Sequence, residues 1–368
     1  MVGTPSCESS SETDRYPVMN KNTALVVGGA GVIGRSLVNY LAKQSEWNVI
    51  GLSRNKPKLQ AEVPWAEIDL LDPADVDAKI GTLVEVTHLF FAAYQPRATY
   101  AEEVRPNLAL LQNLLGPIQK AAPKLTRVVL NEGLKAYGVH LGPFKTPAKE
   151  TDPRHLPPNF YYAQEDHLIQ EQLGKSWDYT VLRPDAVCGF SVGSAMNLPL
   201  IIATYAAISR ELGVPLRFPG KTGTYVALAQ VTDATLHAEA SVWAAVTPSA
   251  RNEIFNITNG DFFRWEQIWP TIAAFFEMPL SAPQTISLVD WMADKGPVWD
   301  HIVKKHGLQP FKLEQLAAWK FGDLVFGCDY DVMADTTKIR LHGFHRFEPS
   351  DRMFLRLLTE FREARVIP

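Results

Sequence analysis

The strongest structural signal in this chain is the segment Leu25-Val-Val-Gly-Gly-Ala-Gly-Val-Ile-Gly-Arg-Ser-Leu-Val38. An apolar run opens it, glycines crowd its middle, and apolar residues then recur at helical spacing. The stretch therefore predicts a strand, a tight glycine turn and a helix. Gly28, Gly31 and Gly34 fit a GxxGxxG spacing, and Gly29, Gly31 and Gly34 fit GxGxxG.

Such a turn brings bare backbone to the start of a helix. A pyrophosphate can rest on the first amides of a helix only where no side chain blocks them. The turn therefore predicts a dinucleotide site, with contacts from Gly28, Gly29, Gly31, Val32, Ile33 and Gly34. A purely structural turn is the alternative, but the strand before it and the helix after it favour the nucleotide site.

The end of the second predicted strand, Trp47 to Leu52, bears on the choice of cofactor. An acidic residue here would hold the ribose hydroxyl of NAD and repel a 2′-phosphate. The chain instead offers Ser53, Arg54 and Lys56, and we expect Asn55 to contact the cofactor as well. This predicts NADP(H), and Arg54 is the best candidate for the phosphate because its guanidinium fork suits that geometry. A solvated basic loop is the alternative.

Further strands are predicted at 65–70, 88–93, 127–130 and 177–182, alternating with helices. This alternation predicts an α/β fold with a doubly wound parallel sheet, the Rossmann arrangement. Its remaining cofactor contacts are expected at the strand ends, from Asp69, Leu70, Ala92, Ala93 and Val187. We expect a disordered tail at 1–22, an NADP-binding domain at 23–190 and a smaller mixed α/β substrate lobe at 191–368, some of which returns to the sheet.

Composition bounds the partners. The 368 residues are 46% hydrophobic with a net charge of −4, which gives no footprint for nucleic acid. The sequence contains no apolar span of 18 residues, so we expect no membrane helix. The N-terminal stretch lacks the pattern of a signal peptide. Three cysteines without a CxxC motif favour a reducing compartment and no metal site. We therefore expect a cytoplasmic protein that binds a small molecule, with a homodimer left open.

Reduction beside a nicotinamide needs a group that holds the developing oxyanion, and tyrosine with lysine is the natural pair. A nearby ammonium is expected to favour the ionised form of the phenol. The glycine turn of this chain resembles that of the extended short-chain dehydrogenases/reductases. Those enzymes usually carry the tyrosine and the lysine on one helix, as Tyr-x-x-x-Lys. Here Glu165 follows Tyr161 and Asp166 follows Tyr162 at that spacing. Either the site is inactive, or the lysine comes from elsewhere in the chain.

Short motifs along nearly the whole chain after residue 23 point to one subgroup. They include Gly133-Leu-Lys-Ala-Tyr137, Gly142-Pro-Phe144, Asn159-Phe-Tyr-Tyr162, Met196-Asn-Leu198, Arg217-Phe-Pro-Gly220 and Phe321-Gly-Asp323. With these motifs the chain resembles the progesterone 5β-reductase/iridoid synthase-like (PRISE) family. The resemblance implies NADPH-dependent reduction of the C=C bond of enones and enals.

The resemblance also assigns residues. It implies that Tyr161 holds the carbonyl oxygen, that Lys135 assists electrostatically, and that solvent protonates the α-carbon. It places Phe144, Phe321 and Asn197 in the substrate pocket. Without the resemblance, Lys135 would pass as a surface lysine, and Tyr161 and the phenylalanines as core residues.

The chain also departs from the family at the predicted active site. Glu132 and Ala136 replace the usual Thr and His around the lysine, and three extra residues that include His140 precede Gly142. The same Tyr/Lys pair would serve a 1,2-reductase of aldehydes or ketones, which is the main alternative. A sugar-nucleotide epimerase or dehydratase with NAD and a non-catalytic NADP-binding protein are weaker ones.

Overall fold

The computed structural model describes residues 21–57 and 62–368, so most of the tail predicted at 1–22 lies outside it. The strands are β1 Asn22–Val27, β2 Trp47–Ser53, β3 Trp65–Glu67, β4 His88–Phe91, β5 Arg127–Asn131, β6 Asp178–Pro184, β7 Val187–Cys188, β8 Leu216–Arg217, β9 Thr232–Asp233, β10 Glu253–Ile257 and β11 Leu280–Ser281. The helices are α1 Val32–Leu41, α2 Pro73–Ile80, α3 Tyr100–Ala121, α4 Phe160–Gln172, α5 Leu198–Glu211, α6 Thr222–Val226, α7 Ala234–Val246, α8 Trp265–Phe275, α9 Leu288–Trp291, α10 Gly296–His306, α11 Leu313–Leu316, α12 Trp319–Phe326, α13 Thr337–Leu341 and α14 Ser350–Glu363. Two 3₁₀ turns span Leu134–Tyr137 and Pro248–Ala250.

Seven strands form the central sheet, in the order β10-β6-β5-β4-β1-β2-β3. All neighbours in it pair in parallel. The predicted α/β fold with a parallel doubly wound sheet is confirmed. Strands β4 and β5 are buried along their whole length, as expected where helices cover both faces of a parallel sheet.

Each face of the sheet has its own apolar core. Helices α2 and α3 cover one face with side chains such as Val76, Leu111 and Leu114. Helices α1 and α7 cover the other face with side chains such as Leu37 and Leu236. Burying an aliphatic side chain of this size contributes about 1.5–3 kcal/mol, so the two layers fix where the strand ends lie.

The strand order reverses between β1 and β4, which are neighbours in the sheet. In open parallel sheets, ligands bind in the crevice at this point, beyond the carboxyl ends of the strands. The glycine turn follows β1, and Ala92 follows β4. The 3₁₀ turn Leu134–Tyr137 follows β5, and Asp185 follows β6. The sheet therefore gathers these segments at one edge.

A third apolar core lies in the C-terminal part of the chain. Helices α5, α8, α10 and α14 contribute to it, and Trp265, Trp269 and Trp299 are among its fully buried side chains. Strand β10, although it belongs to this part of the sequence, pairs with β6 in the main sheet. The C-terminal part thus both extends the sheet and packs beside its carboxyl edge.

Helix α3 is longer than the sequence indicates. The apolar pattern predicts a helix only over Asn107 to Leu115, whereas the helix begins at Tyr100 and ends at Ala121. A capping box between Thr99 and Glu102 starts it, and two prolines lie inside it. Proline usually ends or kinks a helix, and here the helix continues past both.

Candidate active site

Close backbone contacts shape the glycine turn after β1. Gly28 has a φ of 79°, and a Cβ atom there would lie 2.7 Å from the backbone of Ala92. A Cβ atom at Gly34 would come within 2.4 Å of the Gly28 carbonyl oxygen. Gly31 is the N-cap of α1 and brings no side chain to the first-turn amides, which a helix cannot satisfy itself. The turn thus has the open amides that suit a phosphate.

The segment after β2 is held by its own side chains. The Ser53 hydroxyl donates to the Asn55 carbonyl oxygen at 2.6 Å and accepts from the Trp65 indole at 3.1 Å. That hydroxyl is therefore already used within the protein. Arg54 is exposed and lines the cavity described below, whereas the exposed Asn55 does not line it. Of these residues, Arg54 has the free charge that an anionic ligand would meet.

The neighbouring strand ends present small or apolar groups. Ala92 and Ala93 follow β4 and line the cavity. Asp69 and Leu70 line it from the segment after β3. The Asp69 carboxylate accepts the Leu71 amide at 3.0 Å, so it shapes its own turn.

One asparagine ties together the two residues predicted to be catalytic. Asn159 is the N-cap of α4, and its side-chain oxygen accepts the Tyr161 amide at 3.0 Å. Its side-chain nitrogen donates to the Lys135 carbonyl oxygen at 2.8 Å. The Tyr162 hydroxyl adds a 2.7 Å bond to the Ala136 carbonyl oxygen. The 3₁₀ turn that carries Lys135 is therefore fastened to the start of α4.

Tyr161 is buried, but its hydroxyl is free. No group among the described residues, 21–57 and 62–368, hydrogen-bonds to it, and a Cβ atom at Gly133 would lie 3.1 Å from it. Burial raises the pKa of Tyr161 well above its usual value, and the charges of Glu132 and Glu103 raise it further. This direction is opposite to the one expected from a lysine partner. Tyr161 is thus a neutral phenol with a proton to donate.

Lys135 lies in a partly buried, aromatic setting. Its ammonium is 5.1 Å from the centre of the Tyr100 ring and 5.9 Å from that of the Tyr94 ring. Burial lowers its pKa, Glu103 opposes that effect, and Lys320 adds to it. A cation over aromatic faces is stabilised by about 0.5–2 kcal/mol. The site therefore holds a positive charge in a poorly solvated place.

A cavity of about 580 Å³ joins these parts, within the range of small-molecule sites. Apolar side chains such as Val192, Leu228, Val231, Trp265 and Leu324 also line it. The predicted site residues that line it are Gly28, Gly31, Val32, Ile33, Ser53, Arg54, Asp69, Leu70, Ala92, Ala93, Lys135, Tyr161, Val187 and Phe321.

Five predicted site residues do not line the cavity: Gly29, Gly34, Asn55, Phe144 and Asn197. The two glycines act within the turn, where added side chains would strike Trp65 or Gly28.

Phe144 and Asn197, which the sequence predicts in the substrate pocket, lie outside the lining of this cavity. Phe144 packs behind the cavity against a small cluster that contains Leu134 and Tyr137, and its ring meets that of Tyr330 edge-on. The Asn197 amide nitrogen donates to the Gly189 and Ser191 carbonyl oxygens, and its side chain is buried. Both residues therefore support the wall from outside the cavity.

A buried network of charged side chains around Arg183 was not predicted from the sequence. Arg183 donates to Glu132 at 2.7 Å and to Glu165 at 2.5 Å, and all three side chains are buried. Burial raises the pKa of Glu132 to about 7. Arg154 binds the other oxygen of Glu165 at 2.5 Å and extends the network toward the surface. Its one sequence signal was the unusual glutamate before Gly133.

The described residues contain no group of three or more His, Cys, Asp or Glu that could hold a metal ion. Over 21–57 and 62–368, none of the helices is both long enough and apolar enough to cross a membrane.

Known proteins resemble this chain along nearly its whole length. The model of the PRISE-like Rossmann-fold domain matches residues 24–368. An (S)-8-oxocitronellyl enol synthase of Nepeta racemosa is 36% identical, covering 97% of this chain and 96% of that protein. The 3-oxo-Δ4,5-steroid 5β-reductase of Arabidopsis thaliana is 33% identical, covering 95% and 94%.

Solved structures give a more distant likeness, which concerns the fold alone. A UDP-glucose 4-epimerase of Thermotoga maritima with UDP-glucose superimposes with a TM-score of 0.65 at 18% identity, covering 93% of this chain and 99% of that one. The Thermus thermophilus UDP-glucose 4-epimerase in complex with NAD gives the same TM-score at 18% identity, with coverage of 93% and 99%.

The glycine turn, the topology and the full-length match agree with the resemblance that the motifs indicate. The chain therefore belongs to the PRISE-like Rossmann-fold family and is an oxidoreductase of the short-chain dehydrogenase/reductase type.

Proposed function

We propose that the protein is an NADPH-dependent reductase that saturates the C=C bond of α,β-unsaturated carbonyl compounds. The observation that carries this proposal is that the unpartnered Tyr161 hydroxyl and the partly buried Lys135 line the same largely apolar cavity. Two relatives bear names that fit it, a 3-oxo-Δ4,5-steroid 5β-reductase and an 8-oxocitronellyl enol synthase. The substrate is accordingly a small, mostly apolar enone or enal.

The residues at the sheet edge suit a dinucleotide. Side chains at Gly28 and Gly34 would clash with neighbouring backbone atoms, so the turn requires glycine at both positions. The first amides of α1 have no capping side chain and are therefore available to a phosphate. Arg54 would hold the 2′-phosphate of NADP(H), because it lines the cavity and the chain has no acidic residue at that place. When bound, the reduced dinucleotide supplies the hydride for the β-carbon of the enone.

Tyr161 orients the substrate and stabilises the charge that develops on it. Its phenol stays protonated because its pKa is raised, so it can donate a hydrogen bond to the carbonyl oxygen. That bond strengthens as the oxygen acquires enolate character, and one such donor is worth about 2.7–4 kcal/mol. Lys135 adds a positive field in a poorly solvated place, where screening is weak. Solvent then protonates the α-carbon.

The test is turnover of 2-cyclohexen-1-one with NADPH, with the product identified by gas chromatography against cyclohexanone and 2-cyclohexen-1-ol. The proposal expects cyclohexanone. Formation of the allylic alcohol alone would instead favour the 1,2-reductase, which can use the same tyrosine as a proton donor. No consumption of NADPH with any enone or aldehyde would favour a non-catalytic NADP-binding protein.

A further inference from the structure

The ammonium of Lys135 lacks an obvious counter-ion. Among the described residues, 21–57 and 62–368, its Nζ atom takes part in no hydrogen bond and no salt bridge, and it lies over the faces of the Tyr94 and Tyr100 rings. A desolvated charge without compensation tends to lose its proton. Something nearby must therefore favour the charged form if Lys135 is to act as a cation.

Glu103 is the acidic group placed to do this. It lies in the first turns of α3, is buried, and accepts a 2.5 Å hydrogen bond from the Tyr94 hydroxyl through Oε1. Its Oε2 atom is buried and has no hydrogen-bond partner among the described residues. A buried carboxylate with an unused oxygen keeps a strong field around it, because little solvent screens it.

Tyr94 connects the carboxylate to the lysine. Its hydroxyl donates to Glu103, and burial together with that bond raises its pKa, so it remains a phenol. A phenol that donates to a carboxylate gains electron density on its ring, and the face of such a ring attracts a cation more strongly. Tyr100, which stands on the same helix as Glu103, offers the second ring.

We propose that Glu103 is the remote counter-ion of Lys135 and acts through Tyr94, holding the ammonium charged and positioned over the two rings. Glu103 is thus a positioning residue, not a group that touches the substrate. This inference rests on the proposed function only for its effect on catalysis. The charge state of Lys135 can be measured independently of any turnover.

The other groups around Lys135 do not supply the missing charge. Lys320 lowers its pKa. Burial lowers the pKa of His140 to about 4, so that ring is neutral near pH 7. His155 binds the backbone carbonyl oxygen of Lys135 and not its side chain. Glu103 is the group that raises the pKa of Lys135.

The experiment measures the pH dependence of Lys135 acetylation by sulfo-NHS-acetate, read by mass spectrometry, in wild type and variants. Only the neutral amine reacts, so a lower pKa gives faster labelling. In E103Q the midpoint should fall by about one pH unit, which is about tenfold faster labelling at pH 8. Y94F should shift it in the same direction by less, and E103D should restore part of the wild-type value. Glu102, exposed on the same turn, supplies the matched control: E102Q should leave the midpoint unchanged.

A midpoint in folded E103Q equal to that of wild type overturns the inference, as does an equal shift in E102Q. Should E103Q fail to fold, Y94F decides by the same criterion, because it keeps the ring and removes only the hydroxyl. The basic limb of the pH profile for enone reduction should shift with the labelling midpoint. If wild type reduces no enone, the proposed function fails, while the labelling still tests the role of Glu103.

Discussion

Replacing Tyr161 with phenylalanine separates catalysis from stability. The Tyr161 hydroxyl has no hydrogen-bond partner among the described residues, so its removal leaves no buried group unsatisfied. The variant should therefore fold and unfold like wild type. Its kcat should fall by about 10²–10³, because it loses the donor for the developing oxyanion, worth about 2.7–4 kcal/mol.

The neighbouring tyrosine offers a matched control. The Tyr162 hydroxyl donates to the Ala136 carbonyl oxygen at 2.7 Å and accepts the His155 amide at 3.1 Å. Tyr162→Phe should therefore lower stability by about 1–3 kcal/mol, since it leaves the buried Ala136 carbonyl oxygen unpaired. Its kcat should fall far less than that of Tyr161→Phe, because that hydroxyl is committed to the backbone.

The assay combines steady-state NADPH oxidation with 2-cyclohexen-1-one and thermal unfolding of the three proteins. We expect kcat to be lost in the Tyr161 variant and the unfolding temperature to be lowered in the Tyr162 variant. A folded Tyr161→Phe protein that keeps its kcat within about threefold of wild type would show that Tyr161 is not the oxyanion donor, because one such donor contributes far more than that. Another donor would then have to hold the carbonyl oxygen.

Three further predictions follow from single side chains. Arg54→Ala should raise the KM for NADPH about 10–100-fold, as expected for a charge-assisted contact, and that for NADH much less; equal effects would remove Arg54 as the phosphate ligand. Gly34→Ala should weaken folding or dinucleotide binding, because its Cβ would lie 2.4 Å from the Gly28 carbonyl oxygen, whereas Gly116→Ala, with no atom within 4 Å of its Cβ, should not. Thermal unfolding with and without NADPH measures both effects, and equal unfolding temperatures of the two variants would contradict the predicted clash at Gly34. Burial raises the pKa of Asp185 from 3.8 to about 7, so the folded chain binds that proton more tightly and loses stability as the pH rises between these values. Asp185→Asn should gain stability relative to wild type across that window in denaturant titrations, and a pH-independent difference would argue against the shift.

Much of the fold could be predicted because it follows local patterns. The glycine turn, the apolar strands and the alternation with helices each occupy a short stretch, and together they specify a parallel doubly wound sheet. The sheet in turn brings the turn after β1, Ala92 and Lys135 to one edge, although 40 or more residues separate them in sequence. The full length of helix α3 was not predicted, because the two prolines inside it are residues that usually mark the end of a helix.

The supporting contacts could not be predicted, because each depends on side chains that meet across the fold. Arg183 reaches Glu132 over a sequence separation of 51 residues, and Asn159 reaches Lys135 over 24. Nothing local in the sequence marks such pairs. The position of Phe144 could not be predicted for the same reason. It is an apolar residue on a loop, and the course of that loop determines whether its ring faces the cavity or packs against the cluster of Leu134 and Tyr137.

The pKa of Tyr161 is a further property that could not be predicted from the sequence. A lysine near a phenol is expected to lower its pKa, whereas burial and the charges of Glu132 and Glu103 raise the pKa of Tyr161. Which effect wins depends on the solvent and charges around one oxygen atom, and only the three-dimensional arrangement supplies these.

Conjugate reduction by NADPH delivers the hydride to the β-carbon of the enone, so the position of the transferred hydrogen distinguishes it from reduction of the carbonyl group. The measurement uses NADPH deuterated at its transferable position, 2-cyclohexen-1-one, and NMR of the product. We predict cyclohexanone with deuterium on the carbon β to the carbonyl. An allylic alcohol with deuterium on its carbinol carbon would contradict it.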